Sequence, residues 1–335
     1  MNEFEVFLDD NKERMNQMVL DSFVATPGSD LEQYLYGPLN SFTANGGKRQ
    51  RPLICELACL VVGGNPEQIR SIAAAIEYFH TAALIHDDIE DDSKVRRGEP
   101  CLHIKIGEGL AINAGDLALS QVTGLVVDDK TLDDSTKLKA LSELTQMAAR
   151  TIEGQALDIG WARDSRFDLT IDDYLEMITL KTAHYSGAVP LAVGAIVGGG
   201  SVEQVEALRD FGMAIGKAFQ IQDDLMNLTG DEAEMKKDFL TDITEGKRTL
   251  MVVHALGNSP DRDELIEILD ANTSDRQLLL RAVEIMDACS SLDFARDYAI
   301  NLVETAKARL TLALPANEYL RLLLSMADFF IERMN

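Results

Sequence analysis

Two stretches of the chain put carboxylates where electrostatics argues against them. "HDDIEDD" carries Asp87, Asp88, Asp91 and Asp92, and "QDDLMN" carries Asp223, Asp224 and Asn227. Each follows a long apolar run, "AIEYFHTAALIH" and "FGMAIGKAFQIQ", so the acids fall near the C-terminal, negative pole of a helix. An unneutralised carboxylate there costs about 0.3–1 kcal/mol, and like-charged neighbours add to it. The chain has seven Asp-Asp pairs; five of them, 91–92 included, lie in polar stretches or at helix starts, where solvent or the dipole accounts for them, and Asp87-Asp88 and Asp223-Asp224 are the two that resist this. Asp87 and Asp91 are four apart and share a helix face with Asp88 beside them; Asp223 and Asn227 repeat that spacing. Two such oxygen-rich helix ends, brought face to face, make a site for a hard divalent cation. Magnesium suits best, since it takes a few carboxylates and keeps positions for waters and substrate phosphates. The candidate metal residues are therefore Asp87, Asp88, Asp91, Asp223, Asp224 and Asn227.

Cations accompany the acids. "GGKRQRP" (46–52) is a Gly-rich basic turn feeding a helix start, where backbone N–H groups and guanidinium forks suit a diphosphate. Taken alone, it reads equally well as a loop of solvated cations. Arg96-Arg97-Gly98 follows the first acid cluster directly, and Lys181-Thr182 and "TEGKRTL" (244–250) add further cations. In a chain of net charge −25, basic clusters beside acid clusters read better as sites than as accident. His80 and His86 stand among apolar helix residues, where the ordinary reading of a histidine is a packed, hydrogen-bonded side chain.

The elements that must position these residues are helices. Helical periodicity predicts segments near 2–24, 29–43, 52–63, 67–92, 109–127, 133–160, 171–185, 187–199, 202–229, 248–257, 261–270, 274–290, 292–313 and 316–334, with strand alternation almost nowhere. No linker, low-complexity tract or repeat divides the 335 residues, so a single all-helical domain over 1–335 is expected. The net charge of −25 argues against nucleic acid or an anionic membrane as partner. Cys55, Cys59, Cys101 and Cys289 make no metal-ligand pattern and read as structural thiols in a reducing cytoplasm. Neither a signal peptide nor a transmembrane segment is expected. Residues 258–276 read as solvated surface, and nothing after about 258 carries a chemical motif.

Seven segments in order, "GGKRQRP", "HTAALIHDDIEDDSKVRRGEP", "AGD" (114–116), "EGQALD" (153–158), "KT" (181–182), "FQIQDD" (219–224) and "DITEGKRTL" (242–250), resemble the trans-isoprenyl diphosphate synthases, the polyprenyl synthetase family. The resemblance runs from about residue 45 to 255 and is nearest to the geranylgeranyl diphosphate synthases. It implies an isoprenoid synthase fold, a bundle of long helices around a deep central cavity, usually a homodimer. It implies that isopentenyl diphosphate and an allylic prenyl diphosphate are the substrates, with three magnesium ions when substrate is bound. Asp87, Asp88 and Asp91, with Asp223 and Asp224 opposite, would hold the magnesium that grips the allylic diphosphate. Lys48, Arg51, His80 and Arg97 match positions for the isopentenyl diphosphate phosphates. Arg96, Lys181, Lys237 and Lys247 match positions for the allylic diphosphate, and Thr182 and Gln220 would line the reacting ends. Asp87, Asp88, Lys181, Thr182, Gln220 and Asp223 are accordingly the candidate catalytic residues, whereas His86 is assigned to structure. Two departures stand out: Asn227 replaces the usual last aspartate, and "EMKKDFLTDITEGK" lacks glycines that many relatives carry before the position of Asp242.

The resemblance also points to product length. The growing chain would pass the residues one turn before Asp87, which are Ala82 and Ala83, and small residues there leave a tunnel open. With no two-residue insertion in the first motif, a product of twenty carbons or more is expected, with geranylgeranyl diphosphate favoured and Tyr78 and Phe79 as a floor. The alternatives are a farnesyl diphosphate synthase and a regulatory subunit of a heteromeric synthase. A terpene cyclase fits less well because it needs no isopentenyl diphosphate pocket, and a di-iron bundle lacks a second Glu-x-x-His pair.

Overall fold

The structure is a computed structural model that describes residues 2–22, 27–230 and 239–332. It is helical almost throughout, as the periodicity predicts, and most helix ends fall within a few residues of expectation. The exception is a hairpin, β1 (Val95–Arg96) antiparallel to β2 (Glu99–Pro100), with Val95 opposite Pro100. Strands of two residues are too short to show alternation. Their turn is nevertheless written locally, because Arg97 and Gly98 both take positive φ (54° and 82°), as a tight two-residue hairpin turn requires.

The chain forms two compact units. The first comprises Met1–Ala148, Val189–Arg209 and Ala313–Leu323. At its centre is α4 (Arg70–Glu90), packed on α1 (Glu3–Asp21), α3 (Gln50–Val61) and α6 (Glu108–Asp128). Asn65 accepts a hydrogen bond from the Glu67 N–H and Pro66 opens a short 3₁₀ turn, Pro66–Ile69, that feeds α4. This is why α4 itself starts at Arg70. Ile72, Ala73, Ala74, Ala75, Ile76, Tyr78, Phe79, Ala82 and Ile85 are buried along it. His80, Ala83, Leu84 and Asp87 keep partial exposure, and their three- and four-residue spacing makes them one stripe. Alpha-helix α6 is the one helix among the described residues long and apolar enough to cross a membrane by length and composition. It packs along α4 with Ala111, Ala114, Gly115, Ala118, Val122 and Val126 buried.

The second unit comprises Ala149–Ala188, Asp210–Leu312 and Leu324–Asn335. Its α8 (Ile171–Ile178) begins at a capping box between Thr170 and Asp173 and runs directly into a π-helical segment, Thr179–Ala188, which carries Lys181 and Thr182. Helix α10 (Val202–Thr229) brings Gln220, Asp223 and Asp224 into this unit. A short helix, α11 (Thr241–Thr244), carries Asp242. The stretch expected to be solvated includes a helix, Arg262–Asp270, that buries Leu265, Ile268 and Leu269 while its acids stay exposed.

One buried charge pair ties the basic turn to this framework. Arg49 is 2% exposed, has φ of 52°, and donates to Glu77, to Asn16 and to the Thr43 carbonyl. Its guanidinium offsets the strain of a left-handed residue before α3, and Glu77 is the only carboxylate it pairs with among the described residues. Replacing Glu77 with Leu leaves Arg49 charged and unpaired. The expected loss is about 3–5 kcal/mol of stability, measured by urea unfolding of wild type and variant.

Candidate active site

In the first unit, the basic turn is a left-handed curl. Gly46, Gly47 and Arg49 have φ of 83°, 109° and 52°, which leaves Lys48 exposed while Arg49 points into the core. Arg97 Nη1 donates to the Gly46 carbonyl at 2.9 Å, so the hairpin is tied to the turn. His80, on the accessible stripe of α4, is held neutral: burial lowers its pKa well below the ordinary value, and Arg51, Arg97, Arg96 and Arg49 push it further down. Two of these four guanidiniums are paired with buried carboxylates, Arg49 with Glu77 and Arg96 with Asp88. Lys48, Arg51, His80 and Arg97 thus belong to a local excess of positive charge and donors, suited to an anion.

The first acidic motif closes α4. Asp88 is 1% exposed; its Oδ1 accepts from Arg96 Nε at 2.6 Å, and its Oδ2 has no hydrogen-bond partner among the described residues. Asp87 is half-buried and Asp91 exposed. His86 lies 3.6 Å from Asp116 Oδ1, and its ring fills the space beside Gly115, consistent with a structural histidine. Of the four chain-length residues, Ala83 alone reaches accessible surface, on the face that carries Asp87. Ala82 and Tyr78 are fully buried and Phe79 is nearly so, and the Tyr78 hydroxyl donates to the Val19 carbonyl of α1 at 3.4 Å. Tyr78 is therefore an anchor between α4 and α1.

In the second unit, four residues form a hydrogen-bonded chain. Thr182 Oγ1 donates to Gln220 Oε1 at 2.7 Å, Gln220 Nε2 to Asp224 Oδ1 at 2.7 Å, and Tyr174 Oη to Asp224 Oδ2 at 2.8 Å. Asp223, by contrast, is exposed. Burial pushes the Asp224 carboxyl up to about 8, with Asp242 and Asp223 adding repulsion. Burial likewise raises Asp242 to about 6, against the pull of Lys247. Lys181 pairs with Asp158, whose carboxyl burial would raise but Lys181 and Lys247 hold below its ordinary value. Lys247 lies 3.4 Å from Asp242 and 2.8 Å from Glu245; burial alone would lower its pKa, yet these carboxylates and Asp158 raise it.

Asn227 is engaged as a clamp. Its Oδ1 accepts from the Asp242 N–H at 3.2 Å and its Nδ2 donates to Thr241 Oγ1 at 2.9 Å, which fixes the start of α11. The amide expected beside the metal thus positions Asp242. Lys237 lies outside the described residues. Arg248, the other cation of "TEGKRTL", is 2% exposed, donates to the Arg166 carbonyl at 2.6 Å and lies 4.1 Å over the Phe167 ring, whereas Lys247 makes the ion pairs with Asp242 and Glu245.

Close backbone approach delivers Lys181 and Thr182. A Cβ on Gly154 would fall 2.2 Å from the Lys181 nitrogen, and one on Gly216 would fall 2.6 Å from the Ala183 Cα. Only glycine lets both flanking helices lie against the π-helical segment. Sequence reasoning passed over Tyr174, Asp158 and Arg49. Tyr174 carried a signal, since it sits seven residues before Lys181, two turns down the same helical run. Arg49 carried none: which arginine of "KRQR" turns inward depends on Glu77, 28 residues away.

The residues fit a hard divalent cation in chemistry. Asp88 Oδ2 is a buried oxygen with no donor among the described residues, and burial, with repulsion from neighbouring carboxylates added to it, raises Asp224 and Asp242. Among the described residues no three His, Cys, Asp or Glu side chains converge into a ready-made ligand set. That suits an ion which takes few protein ligands and completes its shell with water and phosphate.

An all-α fold with paired acidic motifs and an anion-ready basic turn is that of a prenyl diphosphate synthase. The chain belongs to the polyprenyl synthetase family, whose model matches residues 32–286. It is 42% identical to the short chain isoprenyl diphosphate synthase of Methanothermobacter thermautotrophicus over 86% of this chain and 87% of that one. It is 36% identical to the geranylfarnesyl diphosphate synthase of Natronomonas pharaonis over 89% and 90%. The structure of the geranylgeranyl pyrophosphate synthetase of Pyrococcus horikoshii superimposes with a TM-score of 0.90 at 30% identity, over 98% and 99% of the chains. That of the Corynebacterium glutamicum geranylgeranyl pyrophosphate synthase, complexed with isoprenyl diphosphate and magnesium, gives 0.86 at 29% identity, over 98% of each.

The raised carboxyls of Asp224 and Asp242 set a pH dependence. Above pH about 3.9, their unfolded value, the folded state binds the extra protons. Their contribution to stability is complete below that pH and lost as pH rises through about 6 for Asp242 and about 8 for Asp224. Metal-free protein should therefore melt at progressively lower temperature between those limits, relative to Asp224→Asn, whose curve should be flatter. Parallel melting curves across the range would contradict it.

Proposed function

We propose that the chain joins isopentenyl diphosphate head-to-tail to an allylic diphosphate, with a product of twenty carbons or more and geranylgeranyl diphosphate favoured. The observation that carries this reading is the excess of guanidinium charge around a neutral His80 on the same stripe of α4 as Asp87. A neutral imidazole offers a donor N–H to a phosphate oxygen without adding charge, while Lys48, Arg51 and Arg97 supply the charge. Asp87, Asp91 and Asp223 keep enough exposure to hold metal. Asp88 is the more buried member, oriented by Arg96. Magnesium, when bound, supplies positive charge to the departing diphosphate. Lys181, paired with Asp158, and Lys247, held protonated by its neighbouring carboxylates, add to it from the chain itself. Ionisation of the allylic C–O bond gives a carbocation, the isopentenyl double bond attacks it, and a proton leaves, with the released diphosphate as its acceptor. No protein nucleophile takes part. Thr182 and Gln220 would sit at the reacting ends, and exclusion of water keeps the cation from being quenched.

In this reading the two units work as one catalytic domain, since the family match runs through both without a break. Exposed Ile112 and Val127 on α6, and Leu138 at the start of α7 (Asp134–Arg163), support a homodimer. Cys55, Cys59, Cys101 and Cys289 form no disulfide with one another, which supports a cytoplasmic setting.

Purified protein with isopentenyl diphosphate, magnesium and dimethylallyl, geranyl or farnesyl diphosphate should give chelator-sensitive products of twenty carbons or more, sized by mass spectrometry. A fifteen-carbon product would make it a farnesyl diphosphate synthase. Turnover only after adding a partner subunit would make it a regulatory chain. Ala83→Phe should shorten the product with little change in melting temperature. Ala82→Phe enters a site with no exposed surface and should cost about 1–3 kcal/mol of stability besides. An unchanged product from Ala83→Phe would remove the stripe's role in chain length.

A further inference from the structure

We infer that Tyr174 is a positioning residue, whose hydroxyl, acting through Asp224 and Gln220, sets the direction of the Thr182 hydroxyl. The reasoning is one of donors and acceptors. Tyr174 is completely buried on α8, and its Oη lies 2.8 Å from Asp224 Oδ2. Asp224 accepts from both neighbours, at Oδ2 from Tyr174 Oη and at Oδ1 from Gln220 Nε2 at 2.7 Å, and these two bonds together fix the plane of its carboxyl group. A glutamine side chain donates only from nitrogen and accepts only at oxygen. Its nitrogen being turned to Asp224, its oxygen is turned to Thr182 Oγ1, at 2.7 Å. The Thr182 proton is thereby spent on Gln220, and the threonine presents lone pairs on its open side. Among the described residues no other hydrogen bond holds Oδ2, so without the Tyr174 hydroxyl Asp224 can rotate and the Gln220 amide can turn over.

The kinetic consequence rests on the condensation activity proposed above. Tyr174→Phe keeps the ring and removes only the donor. We expect kcat to fall about tenfold, the upper end of the range for one lost hydrogen bond, with KM for isopentenyl diphosphate unchanged. A purely structural tyrosine would lose activity independently of Thr182. Acting through it, Tyr174→Phe should add no more than about twofold to the loss already caused by Thr182→Val, the range within which independent sites add. A wild-type kcat for Tyr174→Phe, or losses that multiply in the double variant, would overturn the inference. A readout free of catalysis uses protein carrying nitrogen-15 glutamine. The two Gln220 amide protons should be distinct and slow to exchange in wild type and should collapse toward solvent values in Tyr174→Phe; unchanged signals would overturn the inference. If wild type shows no condensation, the functional reading fails while the amide experiment still decides the role of Tyr174. Should Tyr174→Phe not fold, Asp224→Ala replaces it. Losses from Asp224→Ala and Thr182→Val that multiply would then show that Asp224 acts by another route and overturn the inference.

Discussion

The constraint on which the rest of the structure depends is charge held where water is scarce. A buried carboxylate is tolerated only if it is paired, hydrogen-bonded or protonated. The second unit uses all three answers. Asp158 takes Lys181, and Asp224 takes Tyr174 and Gln220. Asp242 takes Lys247 and keeps a raised pKa. What is left over is negative, because Asp223 adds its charge to the same neighbourhood and raises both Asp224 and Asp242. A divalent cation relieves that excess directly, and its removal should be felt as repulsion among named side chains.

The first unit solves the opposite problem. Arg51, Arg97, Arg96 and Arg49 act together on His80, with Arg49 paired to Glu77 and Arg96 to Asp88. Backbone strain accompanies this crowding: Arg49 and Arg97 hold positive φ, as does Leu240 just before α11 in the second unit. Each strained residue adjoins a segment that presents charge, and each is fixed by a specific contact. Arg49 is held by Glu77, Arg97 by the Gly46 carbonyl, and the Leu240 N–H by the Asn227 carbonyl at 3.0 Å. Strain of this kind persists where surrounding contacts over-determine it.

Helix geometry decides which residues of a motif stay reachable. Along α4 the three- and four-residue rhythm puts His80, Ala83, Leu84 and Asp87 on one stripe and buries Tyr78 and Ala82. Adjacent residues of a sequence motif therefore have different fates, Asp87 half-buried and Asp88 enclosed against Arg96. In the second unit, the glycines at 154 and 216 allow backbones to approach so closely that the π-helical segment is packed from two sides. Lys181 and Thr182 are presented by that packing.

Much of this was written in local sequence. Long helical rhythm, carboxylates misplaced at helix ends and glycine-rich basic turns are properties of neighbours in the chain, and they sufficed for an all-helical fold, the two acidic motifs and the family. Decisions between residues of one motif were not local. That Arg49 turns inward depends on Glu77, that Asn227 clamps Asp242 depends on a turn fifteen residues later, and that Tyr174 holds Asp224 depends on two helices meeting 50 residues apart in sequence. The sequence by itself determined which charges the protein carries and the helices that bear them. Only the tertiary structure decided which of those charges are neutralised within the chain and which remain for a ligand, because the answer depends on burial and on partners that distant segments supply.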